Sequence, residues 1–322
     1  MRALACPASL KEVLTPIEAA TLLAAGMRRV DGLEVDELPV ADGGEGTAEV
    51  LARTLGGEWH TAVVSDPFGR PVAARYLLLP DGTAVVEAAQ AVGLGRLGEG
   101  ERDPLRASSR GLGELMLASL ASRPTAILVC VGGTATMDGG TGVRAVVGRW
   151  LRDVPIRVAC DVRNPLLGPR GAARVFGPQK GASPEVVLVL EERLASLEEL
   201  VPYRELAGAG AGGGLGAALA ALGAELVPGA ELVLDLVGFD ELARGADLVV
   251  TGEGTADATT LEGKAPGTVL HHCRRLGVRC ELFGGLVRDG IDAHALSGDR
   301  ALAGEDLVQL GEELALSLLD FA

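Results

Sequence analysis

Carboxylates, glycines and hydroxyls recur together at several points of this 322-residue chain. Asp42-Gly43-Gly44-Glu45-Gly46-Thr47 follows the apolar Leu38-Pro39-Val40. Gly132-Gly133-Thr134-Ala135-Thr136-Met137-Asp138-Gly139-Gly140 follows an apolar run over 126–131. Asp161 and Asn164 follow Ile156-Arg157-Val158-Ala159-Cys160, and Thr251-Gly252-Glu253-Gly254-Thr255-Ala256-Asp257 follows Asp247-Leu248-Val249-Val250. Glycine lets a backbone turn tightly and approach a ligand closely. Backbone N–H groups presented in this way suit polyphosphate. The carboxylates suit Mg²⁺, which takes oxygen ligands and bridges phosphates. Among 29 basic residues only Lys11, Lys180 and Lys264 are lysine, and Asn164 is the single asparagine. A chain that otherwise prefers arginine keeps lysine where a compact ammonium is needed, and an ammonium neutralises charge on a transferring phosphoryl group. The chemistry these residues point to is phosphoryl transfer to a small acceptor. No GxxxxGK[ST] motif, and no GxGxxG opening a helix, occurs in the context a P-loop or dinucleotide fingerprint requires.

Such loops need a scaffold. Strands are expected over 3–6, 34–40, 126–131, 156–160, 247–250 and 278–283, alternating with helices in an α/β rhythm. Thr15-Pro16-Ile17-Glu18 predicts a capped helix start with proline at its first position, and Ser183-Pro184 predicts another. Three short strands between 61 and 87, joined by turns at Asp66-Pro67-Phe68-Gly69 and Pro80-Asp81-Gly82, predict an antiparallel segment and hence a second domain. The glycine-dense 208–214 precedes an alanine- and leucine-rich helix, as an anion cradle at a helix N-terminus would. In open α/β sheets, ligands bind beyond the carboxyl ends of the strands. The expected organisation is a Rossmann-like parallel-sheet domain over 1–60 and 240–322, with a mixed α/β domain over 61–239 inserted.

The net charge of −15 argues against nucleic acid or an anionic membrane as partner. No run approaches the ~20 apolar residues of a membrane span. The five cysteines and four histidines show no metal-site spacing, and the cysteines read as reduced and cytoplasmic.

The motifs 42–47, 132–136, 159–166 (Ala-Cys-Asp-Val-Arg-Asn-Pro-Leu), 175–181 (Val-Phe-Gly-Pro-Gln-Lys-Gly) and 251–254 resemble, in order and over nearly the whole chain, those of the bacterial glycerate kinase family. The resemblance implies two α/β domains with the active site in the cleft between them, and phosphorylation of D-glycerate by ATP and Mg²⁺ to 2-phosphoglycerate. It implies Asp161 as the base for the glycerate hydroxyl, with Asp257 as rival and Lys11 beside them. Lys180 then serves the substrate, Asp42 and Glu45 the glycerate hydroxyls or Mg²⁺, Asn164 the substrate or the metal, and Arg170, like Lys11, the substrate carboxylate or the phosphates. Gly132, Gly133, Thr134, Gly212, Gly213, Gly252, Glu253 and Lys264 serve the nucleotide, and Asp257 and Asp138 the metal. The reading allows a homodimer. The family pattern is broken at three polar positions. Ala8 replaces its aspartate, Met137 its asparagine and Thr259 its glutamine. These losses leave two alternatives, a catalytically weak sensor of nucleotide or small acid, and a kinase for another hydroxy acid.

Overall fold

The computed structural model describes residues 1–10, 13–148 and 154–319, and Lys11 lies outside the described residues. The strands are β1 (Arg2–Ala5), β2 (Glu34–Glu37), β3 (Glu58–Ser65), β4 (Pro71–Leu78), β5 (Thr83–Glu87), β6 (Ala126–Cys130), β7 (Ile156–Ala159), β8 (Glu225–Val227), β9 (Leu248–Ala256), β10 (Cys280–Val287) and β11 (His294–Ala295). They form two sheets, one in each of two compact units.

The first unit comprises Met1–Asp42, Glu49–Thr54 and Ala230–Ala322. Its sheet runs β11-β10-β9-β1-β2 and is parallel throughout. Ala3, Leu4, Ala5, Leu248, Val249 and Val250 are fully buried, as strands covered on both faces must be. The chain proceeds outward from β1 to β2, and later outward from β9 to β10 and β11 on the other side. The winding therefore reverses between β1 and β9. Helix Pro16–Met27 starts as its sequence predicts. The Thr15 hydroxyl accepts from the Glu18 N–H at 3.2 Å, and the Glu18 carboxylate accepts from the Thr15 N–H at 2.8 Å. Leu23 and Met27 of this helix pack with Leu307, Leu310 and Leu314 of helix Ala303–Leu319.

One expectation is overturned here. From sequence, the strand after Ala246 ends at Val250 and 251–257 is a loop. In the structure β9 continues to Ala256 beside β10, which runs on to Val287. Glycine at facing positions permits this. Phe283 pairs with Gly252, and a Cβ on Gly252 would lie 2.4 Å from the Phe283 ring. Glycine in this strand serves close approach rather than a turn.

The second unit comprises Gly43–Ala48 and Leu55–Gly229. Its sheet runs β3-β4-β5-β6-β7-β8, antiparallel from β3 to β5 and parallel from β5 to β8. The unit borders differ from the expected 60/61 and 239/240 divisions. The whole of β3 pairs with β4, so the division cannot fall inside β3. Asp66 closes their hairpin, accepting at 2.8 Å from the N–H groups of both Phe68 and Arg70. Val86, Leu112, Leu115, Met116, Ile127, Val129, Val158 and Leu215 form its core. Burying branched side chains on these strands fixes the register, and hence which residues emerge at the carboxyl ends of β5, β6 and β7.

Candidate active site

In the second unit the loop beyond β6 and the last residue of β7 lie against the segment 43–48. A Cβ on Gly132 would sit 2.6 Å from the Gly44 Cα, and one on Gly43 would sit 2.7 Å from the Ala159 Cβ. The two glycine loops noted in the sequence therefore touch within this unit. Glu45 is exposed, and its carboxylate approaches the Gly133 position. Glu87, the last residue of β5, is buried, and its carboxylate accepts from the Ala48 N–H at 2.7 Å. It pins the helix start that follows the glycines.

Lys180 is only 3% exposed. Its ammonium donates to the Thr136 carbonyl at 2.9 Å and the Thr134 hydroxyl at 3.3 Å. Burial pushes the lysine pKa down to about 7, against the pull of the Asp138 charge. The expectation of direct substrate contact is thus modified. The ammonium is bonded into the Gly132–Thr136 turn, and it acts on a ligand through that turn.

Asp138 also differs from expectation. One carboxylate oxygen accepts from the Ser109 N–H at 2.9 Å, the Ser109 hydroxyl at 2.8 Å and the Gly142 N–H at 3.2 Å. The other accepts from the Gly140 N–H at 3.0 Å. A buried carboxylate satisfied by this many donors holds the loop, which leaves little capacity for a metal. Gly213 has a similar structural task. Its φ is +78°, and a Cβ there would lie 2.0 Å from the Thr136 carbonyl oxygen. Gly212 and Gly213 thus lie against the turn, their carbonyls accepting from the Thr136 hydroxyl and the Gly139 N–H.

The Asp161 loop closes the same region. The Asn164 side chain donates to the Arg170 carbonyl at 2.7 Å, and the Asn164 carbonyl accepts from the Gly210 N–H at 3.0 Å. The single asparagine therefore shapes this loop, and Arg170 is exposed. Asp161 is half-buried just after β7. Burial first, and then the Asp161 charge, push the neighbouring Cys160 thiol up to about 11.

The first unit gathers a second set at the carboxyl ends of β1 and β9. The Ala8 N–H donates to the Gly252 carbonyl at 2.8 Å, and the Thr251 hydroxyl donates to the Cys6 carbonyl at 2.7 Å. The Lys264 ammonium lies 3.4 Å from both Glu253 carboxylate oxygens and 4.0 Å from Asp257. Burial raises the Glu253 pKa, and the Asp42 charge adds to this, against hydrogen bonds from Thr260 and Lys264. Asp257 caps the short turn Ala258–Glu262 and accepts from the Thr259 hydroxyl and, at 2.9 Å, from the Thr259 N–H. The Thr259 hydroxyl bond is the main reason its carboxyl titrates below the usual range.

A family model described as the glycerate kinase family matches residues 3–153 and 145–304. This chain belongs to the glycerate kinase family. It is 40% identical over 306 residues to the glycerate 2-kinase of Escherichia coli strain K12, covering 83% of this chain and 80% of that one. It is 39% identical over 305 residues to the glycerate kinase of Bacillus subtilis strain 168, covering 83% and 80%. Its fold matches a crystal structure described as a candidate glycerate kinase 2 from Salmonella typhimurium LT2, with a TM-score of 0.82. The identity is 34%, over 99% of this chain and 98% of that one.

For this glycerate kinase family member, the structure brings together two groups of the expected site residues. Glu45, Gly132, Gly133, Thr134, Asp138, Asp161, Asn164, Lys180, Gly212 and Gly213 lie around the ends of β6 and β7. Asp42, Gly252, Glu253, Asp257 and Lys264 lie in the first unit. Sequence reasoning missed Glu87 and Ser109. Glu87 had a visible signal, a carboxylate ending an otherwise apolar strand. Ser109 had none, because its partner Asp138 is distant in sequence.

Proposed function

We propose that this chain transfers the γ-phosphoryl group of ATP to the 2-hydroxyl of D-glycerate, giving 2-phosphoglycerate and ADP. The observation that carries this reading is the convergence of the Gly132–Thr136 turn, the buried Lys180 ammonium and the Asp161 loop beyond adjacent parallel strands. Asp161 takes the proton of the glycerate hydroxyl as its oxygen bonds to phosphorus. The carboxylate of its rival, Asp257, is engaged by Thr259 and lies 4.0 Å from the Lys264 ammonium. Arg170 offers the glycerate carboxylate a forked, permanently charged donor, with its loop held by Asn164. The N–H groups of the Gly132–Thr134 turn face the charge that develops on transferred oxygens.

No group of three or more His, Cys, Asp or Glu residues able to hold a metal occurs among the described residues. A Mg²⁺ ion carried by nucleotide phosphates and one or two carboxylates fits this donor set, because Mg²⁺ rarely needs an all-protein cage. Glu253 and Asp257 are the residues that would meet it, and bound there it would neutralise phosphate charge. No helix among the described residues is long and apolar enough to cross a membrane. We place the reaction in the cytoplasm.

The test couples product formation to enolase without added mutase, so that only the 2-phospho isomer gives signal. Wild type supports turnover with D-glycerate, ATP and Mg²⁺, and Asp161→Asn loses about 10²–10⁴-fold in kcat. No product from folded wild type overturns the reading. A full-rate Asp161→Asn variant alongside a dead Asp257→Asn variant exchanges the two roles.

A further inference from the structure

We propose that the cavity between the β3–β4 turn and the loop 100–106 of the second unit is an effector site for a phosphate monoester, held by Arg102 and Arg106 and coupled to the reaction through the turn that carries Lys180. The site goes beyond the kinase reading, and its occupancy can be measured whether or not glycerate is phosphorylated.

Three observations carry it. The first is a built cavity. Its volume is about 670 Å³, within the range of about 300–1,000 Å³ that takes small ligands. Its walls are fastened to one another. The Ser108 N–H donates to the Pro67 carbonyl at 2.8 Å, and the Arg70 guanidinium donates to the Glu101 carboxylate at 2.9 Å. Gly181 has a φ of +94°, and a Cβ there would lie 2.8 Å from the Arg102 carbonyl oxygen. Phe68, Pro104, Leu105 and Val186 supply apolar wall.

The second is a pair of uncommitted cations. Three guanidiniums and two carboxylates line the cavity, in a chain of net charge −15. Both carboxylates are engaged. Glu101 is bonded to Arg70, which Asp66 also holds, so these three neutralise one another. Asp103 accepts from the Leu105 N–H at 3.1 Å. Among the described residues the ion pairs at this cavity are those of Arg70, and neither Arg102 nor Arg106 has one. Arg102 is held on one side only. Its Nη1 donates to the Gln179 carbonyl at 3.3 Å, and its buried Nε has no acceptor among the described residues. A bond that long is weak, and a buried donor without a partner calls for a ligand or an ion. A small turn of the guanidinium toward an oxyanion exchanges the weak bond for a charge-assisted one and satisfies Nε as well. Arg106 is exposed, with its guanidinium carbon 5.6 Å from the centre of the Phe68 ring. Stacking of this kind keeps the fork at the cavity. One fork satisfies a carboxylate, whereas two suit the three oxygens of a phosphate dianion. The apolar wall meets the carbon chain of a monoester, which inorganic phosphate lacks.

The third is linkage. Gln179 and Gly181 flank Lys180, whose ammonium braces the Gly132–Thr136 turn. Drawing Arg102 onto a ligand releases the Gln179 carbonyl, which belongs to the same short turn, Pro178–Lys180. Occupancy therefore loosens the brace and lowers kcat without competing for either substrate.

The experiment is calorimetry on the full chain without nucleotide or glycerate, with glycerol 3-phosphate, glycerol and inorganic phosphate as probes. Circular dichroism checks the fold of Arg106→Gln, at an exposed side chain, and of Arg102→Gln. Glycerol 3-phosphate is expected to bind one site per chain, at least tenfold tighter than inorganic phosphate, and glycerol to give no heat. Each of the two variants weakens it at least fivefold, while Arg170→Ala and Lys264→Ala stay within twofold of wild type. In turnover, saturating glycerol 3-phosphate lowers the wild-type kcat at least twofold and leaves Arg106→Gln unaffected. 2-Phosphoglycerate is titrated alongside. An affinity at least tenfold above that of glycerol 3-phosphate, lost in Arg106→Gln, assigns the site to the product, and equal affinities assign it to phosphate monoesters at large. Unaltered binding in both arginine variants overturns the proposal. So does loss of binding in Arg170→Ala or Lys264→Ala alone, which moves the anion to the reaction site. Inorganic phosphate binding as tightly overturns the monoester, and an unchanged kcat, or a rise in the glycerate KM alone, overturns the coupling. A wild type that binds the probe here without phosphorylating glycerate sinks the kinase reading and leaves this site standing.

Discussion

Replacing Lys180 with methionine separates what this residue costs the fold from what it gives the site. The ammonium is bonded to Thr134 and Thr136 but otherwise desolvated, and its pKa falls from 10.5 to about 7. A lysine whose folded value is lowered binds fewer protons folded than unfolded. Between pH 7 and 10.5 the unfolded chain holds a proton that the folded chain has released. Stability therefore rises with pH across that window, by about 1.4 kcal/mol per pH unit. Taken from pH 6 to pH 9, the rise owed to this one residue is about 3 kcal/mol. Methionine keeps the length of the side chain and cannot titrate. The stability difference between the two proteins is then expected to move by about 3 kcal/mol in favour of Lys180→Met at pH 6 relative to pH 9. Urea denaturation of both proteins at the two pH values measures it. Activity moves the other way, because the turn that Lys180 braces loses its cation, and kcat falls by about 10²-fold or more. Parallel pH–stability curves for the two proteins would refute the assignment of a costly buried ammonium. Undiminished kcat would refute its link to the site.

Two further perturbations test other parts of the fold. The His272 ring nitrogens lie 2.7 Å from Asp240 and 2.7 Å from Glu231, so both must carry protons to bond both carboxylates. Burial alone would lower its pKa, but these hydrogen bonds and charges raise it above 6.5. Its stabilising contribution is present in full below pH 6.5 and is lost as pH rises through the raised folded value. His272→Gln should therefore be less stable than wild type at pH 6, with the gap closing by pH 9. A gap that is equal at both pH values contradicts a protonated pin. Gly213→Ala should cost more than about 2 kcal/mol, combining a left-handed backbone with a Cβ driven into the Thr136 carbonyl. A variant that melts with wild type would show that the glycine segment is not pressed against that turn.

Much of the scaffold was readable from local signals. The capping box at Thr15, the serine cap at Ser183 and the antiparallel turns near Asp66 act over a few residues, and the structure contains each of them. The α/β rhythm placed the glycine loops at strand ends because buried strands are continuous apolar runs. The extension of β9 was not readable, since it depends on Phe283 finding space over Gly252 across the ladder. The site was legible by residue type and less so by task. The scarcity of lysine marked Lys180, but nothing local says that its ammonium is buried. Asp138 looked like a metal ligand because its commitment to Ser109 spans 29 positions. The glycines at 212–213 looked like an anion cradle for the same reason, as their close neighbour Thr136 lies 76 residues from Gly212 in the chain.

The three breaks in the family pattern differ in what each removes from the site. Met137 is fully buried and packs with Leu166, Leu190 and Leu194. An asparagine at that depth would need hydrogen-bond partners that an apolar cluster does not supply, so the methionine belongs to the packing of this chain's own core. Thr259 still donates to Asp257 from both its hydroxyl and its backbone, so the carboxylate remains oriented. Only Ala8 removes a charged group without replacement. Its backbone N–H is retained by Gly252, which keeps the loop after β1 in place beside β9. What is lost at position 8 is one charge and not the loop geometry. The case for a chain that binds without turning over therefore narrows from three substitutions to one. Adding a carboxylate back at Ala8 should alter rate or substrate affinity without altering the melting temperature, because the backbone bond that position 8 contributes to the fold is already made.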